Sequence, residues 1–328
     1  MDISNEVAIG IDIGGTNTKY GIVNHRGEIL QKGEIRTDKY AKVEGFIDAL
    51  YKTLEPVIKS LENKNAIQGI GIGAPNGNYY TGTIEYAPNL KWRGVIPMAK
   101  LVEDKFNLPA ALTNDANAAA VGEMTYGAAR GMRDFIMITL GTGVGSGIVA
   151  NGQLILGHDG FAGELGHTII IPGGRLHEGT GLKGSLESYA SATGLVKTAH
   201  ELLKKDHSKK TLLRNHHGEI DSKFVYECAM KKDKIAKKVY EYTGKILGKA
   251  LANFVMFSSP EAIILFGGLT KAGAMIMEPT REHMEKNLLP IFQNKVKLIF
   301  SELKESDAAI LGASALVWEM KNKAAAEA

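Results

Sequence analysis

Apolar residues in this chain gather into short unbroken runs that end in glycine-rich turns. Between them lie longer stretches in which apolar positions recur every three or four residues. The short runs predict buried strands and the periodic stretches predict amphipathic helices. A three-stranded meander is expected first, over 7–13, 19–23 and 28–35, with His25-Arg26-Gly27 as a turn. Val43, Phe46, Ile47, Leu50, Leu54, Val57, Ile58 and Leu61 then trace one face of a helix, which Pro56 should bend or loosen. A run without alternation at 68–73 predicts a strand covered on both faces. It leads into the turn-rich segment Ala74-Pro75-Asn76-Gly77-Asn78. A helix at 99–106, a strand at 111–113 and an alanine-rich helix at 116–124 follow. Farther on, strands are predicted at 135–140, 262–266 and 296–300, and helices at 224–230, 234–257 and 308–320. The tail, 321–328, is expected to fray. Meander strands mixed with strand–helix alternation predict α/β lobes, each a mixed sheet flanked by helices.

Two segments repeat one design. IGIDIGGTNTKYGIVNHRGEIL at 9–30 and ITLGTGVGSGIVANGQLIL at 138–156 are each an apolar run, a Gly/Thr turn, an apolar run through Gly-Ile-Val, a polar turn and a third apolar run. At such tips the missing side chains let backbone N–H groups approach phosphate oxygens, and threonine hydroxyls add donors. One glycine turn is weak evidence, since hairpins use glycine anyway. Two matched turns in separate halves predict a nucleotide clamped between two facing lobes.

Composition narrows the field. With 328 residues, 44% of them hydrophobic, the chain is long enough for two domains with large cores. A net charge of +3 with interspersed signs supplies no nucleic-acid footprint. The basic cluster Lys204, Lys205, Lys209 and Lys210, interrupted by Asp206 and His207, reads as a solvated loop. One cysteine, Cys228, excludes an internal disulfide, suits a reducing compartment, and reads as a buried inert thiol. With no apolar signal core and no run of membrane-spanning length, a soluble cytoplasmic protein is expected, with no membrane partner.

The candidate chemistry lies at the turns. Asp115 stands where an apolar strand ends and a helix begins, the position where open α/β sheets place functional groups. Spacing alone favours a plain helix cap there. Glu164 and His167 sit among glycines in Gly163-Glu164-Leu165-Gly166-His167, and Glu187 lies in Gly184-Ser185-Leu186-Glu187-Ser188. Carboxylates, an amide and an imidazole together suit a polyhydroxylated ligand. Convergence of these residues does not follow from the sequence.

The ordered set of motifs resembles the ROK sugar kinases (named for repressors, open reading frames and kinases) of the actin-like ATPase, or hexokinase, superfamily. The resemblance rests on the Asp12–Lys19 turn, Thr113-Asn114-Asp115-Ala116-Asn117-Ala118 and Leu140-Gly141-Thr142-Gly143-Val144-Gly145. It also rests on the Gly163–His167 segment, Leu265-Phe266-Gly267-Gly268 and Ala309-Ile310-Leu311-Gly312-Ala313. It implies a two-lobed actin-like (ribonuclease H-like) α/β fold with a cleft between a small lobe, 1–115 plus 309–328, and a large lobe, 116–308. It implies ATP-dependent phosphorylation of a hexose, with glucose at its 6-hydroxyl the leading acceptor, and a homodimer as the assembly. Asp115 is implied as the general base. Asn89, Asn114, Glu164, His167 and Glu187 are implied to bind the sugar. Asp12 would organise Mg2+ through water, suiting a hard cation. Gly14, Gly15, Thr16, Thr142 and Gly143 would hold phosphates, and Gly267 and Gly268 would pass close to the adenosine. Such a site suits phosphoryl transfer, where positioning and charge stabilisation dominate.

One departure stands out. Many members carry zinc on the histidine of the Gly-His pair and three cysteines, but here those cysteine positions hold Glu178, Thr180 and Ser185. A structural zinc site needs four closed ligands, so no zinc is expected, and hydrogen bonds through Thr180 and Ser185 are one way to hold His167 and Glu187. N-acetylglucosamine or N-acetylmannosamine kinase is the second reading. A sugar-responsive repressor is the third, against which Asp12 lies too near the start for a preceding DNA-binding domain.

Overall fold

The computed structural model describes residues 6–61, 66–206, 210–215 and 218–327. The chain divides into two compact units, one of residues 1–131, 154–163 and 302–328, the other of residues 132–153 and 164–301.

The first unit is built on a five-stranded sheet. β1 (Val7–Ile13), β2 (Asn17–Asn24) and β3 (Ile29–Arg36) form the expected antiparallel meander. Helix α1 (Val43–Ser60) runs through Pro56 and buries Phe46, Ile47, Leu50 and Leu54. β4 (Ile67–Gly73) then pairs parallel with β1. Three short strands, β5 (Gly77–Asn78), β6 (Thr83–Glu85) and β7 (Val95–Ile96), make a small separate sheet. After α2 (Met98–Phe106), β8 (Ala110–Thr113) adds in parallel beside β4, giving the order β3-β2-β1-β4-β8. Helix α3 (Asp115–Tyr126) follows at once.

The second unit repeats the plan. β9 (Phe135–Leu140) and β10 (Val144–Ala150) form the second glycine hairpin, with β11 (Gln153–Leu154) at the sheet edge. Helices α4 (Glu187–Ala190), α5 (Ala192–Lys205), α6 (Ser222–Met230) and α7 (Lys234–Ser258) come next. They precede β12 (Ala262–Phe266), α8 (Ala274–Lys286) and β13 (Lys297–Phe300). The sheet order is β11-β10-β9-β12-β13, with β12 parallel to both neighbours. A core of its own gathers Ile136, Ile138, Leu186, Leu247, Leu251, Ile263 and Leu265. Cys228 is buried there, and burial pushes its thiol pKa up, as befits an inert side chain.

The last helix, α9 (Ala308–Glu327), belongs to the first unit. Glycines let it in. A Cβ on Gly10 would overlap Ile310 O, and one on Gly71 would overlap Ala313 O. α3 meets α9 at another such pair, where a Cβ on Gly122 would lie 2.8 Å from Gly312 Cα. This packing places α3, expected with the 116–308 lobe, in the first unit.

The last helix is longer than the expected 308–320. The helix continues to Glu327, and Lys321 is paired with Glu6 at 2.7 Å. Of the basic cluster, Lys204 and Lys205 close α5 and Lys210 is exposed, while His207 and Lys209 lie outside the described residues. No described helix is long and apolar enough to cross a membrane.

Candidate active site

In the first unit the parallel register lines up Asp12, Gly73 and Thr113 across the carboxyl ends of β1, β4 and β8. Asp115 comes two residues past Thr113. Gly73 lies between the two residues: a Cβ there would sit 3.8 Å from Asp12 Oδ1 and 3.9 Å from Asp115 Cα. Lys19 is the β2 partner of Asp12. Desolvation, and then the charge of Asp115, push the Asp12 carboxyl up to about 6, with Lys19 opposing. Asp115 is raised too, mainly by desolvation, while the Ala116 N–H, donating to Oδ1 at 2.8 Å, pulls the other way.

The helix cap falls one residue earlier than spacing suggested. Asn114, not Asp115, is the N-cap of α3, its Oδ1 accepting from Asn117 N at 2.7 Å. Asp115 is therefore released from that duty, and Asn114 keeps its NH2 donors and one lone pair of Oδ1 for any ligand.

The first glycine hairpin is fixed by its neighbours. Gly14 N donates to Asn17 O at 3.0 Å, and Thr16 O accepts from Thr37 N at 2.8 Å. A Cβ on Gly15 would lie 2.6 Å from Asn89 O, so this hairpin and the exposed Asn89 are packed together.

In the second unit Val144, at the start of β10, is the common anchor. Its N–H donates to Glu187 Oε2 at 2.7 Å, and a Cβ on Gly143 would overlap that same oxygen. Its carbonyl packs on Gly166, where any Cβ would overlap it. Glu187 and the one-turn helix 165–167 are thus seated on opposite polar groups of one residue. Leu165 N also donates to Ser146 Oγ, 3.1 Å away. Glu164 and His167 face each other at 3.8 Å, and His167 Nδ1 is buried with no hydrogen-bond partner among the described residues. Thr142 is exposed at the hairpin tip, its carbonyl accepting from Thr193 Oγ1 at 3.3 Å.

Gly267 and Gly268 follow β12. Gly267 has φ +106° and packs on Leu140, whereas a Cβ on Gly268 would meet nothing within 4 Å. Protein packing asks for glycine at 267 but not at 268.

The sequence did not single out His177. Its Nε2 lies 2.7 Å from Glu187 Oε1 and its Nδ1 2.8 Å from Thr180 Oγ1. Its one sequence signal is its place directly before the first lost cysteine position. Besides Thr180, the lost cysteine positions are also engaged: Ser185 Oγ is 2.9 Å from Ser188 Oγ, and Glu178, 84% exposed, faces Lys197 at 3.9 Å.

Two glycine hairpins on matched sheets, and a carboxylate pair at the ends of parallel strands, define a phosphoryl-transfer class of protein. Known proteins agree. The ROK family model matches residues 8–320. The glucokinase of Halalkalibacterium halodurans is 37% identical over 326 residues, covering 98% of this chain and 97% of its own. The xylose repressor of Caldicellulosiruptor bescii is 31% identical over 94% of this chain and 77% of the repressor. A ROK family glucokinase from Streptomyces griseus, solved with glucose and AMPPNP, superposes with a TM-score of 0.78 at 32% identity. That match covers 95% of this chain and 99% of the other. The chain belongs to the ROK family, and within it to the sugar kinases.

Proposed function

We propose that this ROK enzyme, an ATP-dependent hexose kinase, transfers the terminal phosphoryl group of ATP to the 6-hydroxyl of glucose. The observation that carries the reading is the pair of carboxyls, Asp12 and Asp115, at the carboxyl ends of the parallel strands β1 and β8, which flank β4.

Asp115 is the general base. Its raised pKa makes it more basic than an ordinary carboxylate while leaving it able to take the proton from the sugar hydroxyl as that oxygen attacks phosphorus. Glu164 and Glu187 accept from sugar hydroxyls, Asn114 donates through its free amide hydrogens, and Asn89 and His167 complete the contacts. Gly14, Gly15, Thr16, Thr142 and Gly143 receive phosphates, and Gly268, with Gly267 beside it, leaves room for the adenosine.

A divalent ion fits the first unit by the chemistry of its donors. Asp12 offers a hard oxygen that is poorly hydrated and crowded by a second carboxylate, so a cation would relieve both costs. Mg2+ held there through water would neutralise charge on the transferred phosphoryl group. Zinc does not fit the second unit: His167 Nδ1 is one available donor, but Thr180 and Ser185 are hydroxyls already hydrogen-bonded and Glu178 faces solvent. We further expect a cytoplasmic homodimer.

The test is phosphorylation of a panel of hexoses and N-acetylhexosamines with ATP and Mg2+, by the wild type and by Asp115→Asn. Glucose should lead the panel, and the variant should lose ~10²–10⁴-fold in turnover. Preference for an N-acetylhexosamine would move the acceptor assignment to the second reading. The repressor relative favours a third, sugar binding without catalysis, and saturable glucose binding with no transfer to any sugar would establish it against the kinase.

A further inference from the structure

We propose that His177 is a positioning residue that aims the Glu187 carboxylate, with Thr180 fixing its tautomer, so that a hydrogen-bonded turn does the work of orienting the sugar-binding carboxylate. The inference rests on the reading above that Glu187 holds the sugar.

The turn is built for this. His177 N donates to Leu182 O at 2.8 Å, Gly181 N donates back to His177 O at 2.8 Å, and Leu176 bridges to Lys183. Gly179 clears space for the ring, since a Cβ there would approach His177 Cε1 at 3.2 Å. Two residues upstream Arg175 pins the segment. Its guanidinium pairs with Glu201 at 2.7 Å, donates to the carbonyls of Ser188 and Gly194 at 3.1 Å, and lies 4.4 Å from the Tyr189 ring centroid. Arg175 thereby ties the turn to the helices that begin at Glu187 and Ala192.

The hydrogen-bond network assigns the protons. The Glu187 carboxylate can only accept, so His177 Nε2 is the donor there, and Nδ1 is left to accept from Thr180 Oγ1, which accepts in turn from Leu182 N at 3.3 Å. The neutral ring then carries its hydrogen on Nε2 and donates it to Glu187 Oε1. Glu187 is consequently held at both oxygens, Oε2 by the Val144 N–H and Oε1 by His177. An ionised carboxylate has about four lone-pair sites, so acceptor capacity remains for sugar hydroxyls after both bonds are made. The side chain is 13% exposed, which leaves it an outward aspect. Without His177, Glu187 keeps its bond to Val144 but can rotate about it. An ångström of misplacement can cost ~10²-fold in a bound geometry.

The experiment compares wild type, His177→Ala, His177→Gln, Thr180→Val and Glu178→Gln in steady-state glucose phosphorylation, with glucose affinity measured by calorimetry. Nitrogen-15 NMR of the histidine ring in the free enzyme runs alongside. The alanine variant should lose ~10–10²-fold in kcat/KM for glucose while KM for ATP stays within about twofold. The glutamine variant, which can still donate to Glu187, should recover part of that loss. Thr180→Val should fall between, and Glu178→Gln should match the wild type. NMR should show the Nε2–H tautomer in the wild type and loss of that preference in Thr180→Val.

Normal glucose kinetics in His177→Ala, with Glu187→Gln impaired, would overturn the inference and leave the kinase reading standing. An Nδ1–H tautomer in the wild type would also overturn it. If the wild type phosphorylates no hexose, the kinase reading is what fails, and calorimetry still decides whether His177 supports glucose binding. Should the alanine variant not fold, the glutamine and valine variants and the NMR decide alone.

Discussion

Asp12 sits in a place that makes its ionisation costly, and the sign of that cost is testable. Its folded pKa, about 6, is above the ordinary value of 3.8, so the metal-free fold favours the protonated form. The stability this supplies is fully present below 3.8 and is lost as pH rises through 6, by at most about 3 kcal/mol. In the absence of Mg2+, Asp12→Asn should therefore gain stability on the wild type between pH 4 and pH 7, measured by chemical denaturation at each pH. Equal pH profiles for the two proteins would contradict the strained-carboxyl picture. Catalysis should run the other way. Mg2+ needs an ionised Asp12, so wild-type kcat/KM should fall as pH drops through about 6. Gly268 gives a separate residue-level check. A methyl group meets no protein atom there, so Gly268→Ala should melt like the wild type yet raise KM for ATP several-fold, whereas Gly267→Ala, at φ +106°, should lower the melting temperature. An unchanged KM for ATP in Gly268→Ala would remove that glycine from the nucleotide site.

At the scale of elements, the most consequential packing is that of the one-turn helix 165–167 on β10. Gly166→Ala forces a Cβ into Val144 O, so the turn that carries His167, and Glu164 before it, must move. A stability loss of ~1–3 kcal/mol is expected, with a raised KM for glucose and little change in KM for ATP. If glucose kinetics were untouched, Glu164 and His167 would not be sugar contacts. The long elements were legible in the sequence because they obey one periodicity: β1, α1, α7 and β12 fall within a few residues of where the apolar pattern puts them. Others were hidden for physical reasons. The strands β5, β6 and β7 are two or three residues long, too short to show alternation. α5 starts Ala192-Thr193-Gly194, of which Thr and Gly are poor helix formers, and is set instead by its Ser191 cap and by Ala192 N bonding to Gly141 O. α8 contains Pro279, which reads as a break. Among site residues, Asp115 was visible as a candidate, but that Asn114 takes the cap needed coordinates. His177 was invisible because its role depends on Glu187, ten residues away.

For the whole molecule, the clearest expectation concerns metal content. With hydroxyls and a solvent-facing carboxylate at the three altered positions, purified enzyme should carry no stoichiometric zinc by elemental analysis. Chelation should stop activity only until Mg2+ is restored. One zinc per chain would overturn that view of the second unit. The doubled architecture was readable from the repeated glycine hairpins alone, whereas the membership of α3 was not. It is decided by Gly122 meeting Gly312, a contact between residues 190 positions apart.

The glycine floor under α9 also fixes an order of events on the ribosome. β1 and β4 leave the tunnel before residues 132–301, but the helix that covers Gly10 and Gly71 leaves it after them. All of residues 132–301 are synthesised before it. The second unit can thus be complete while the first still exposes a bare sheet face, the kind of surface on which chaperones act and aggregates nucleate. A nascent chain of this enzyme keeps that face open until α9 has followed the second unit out of the tunnel.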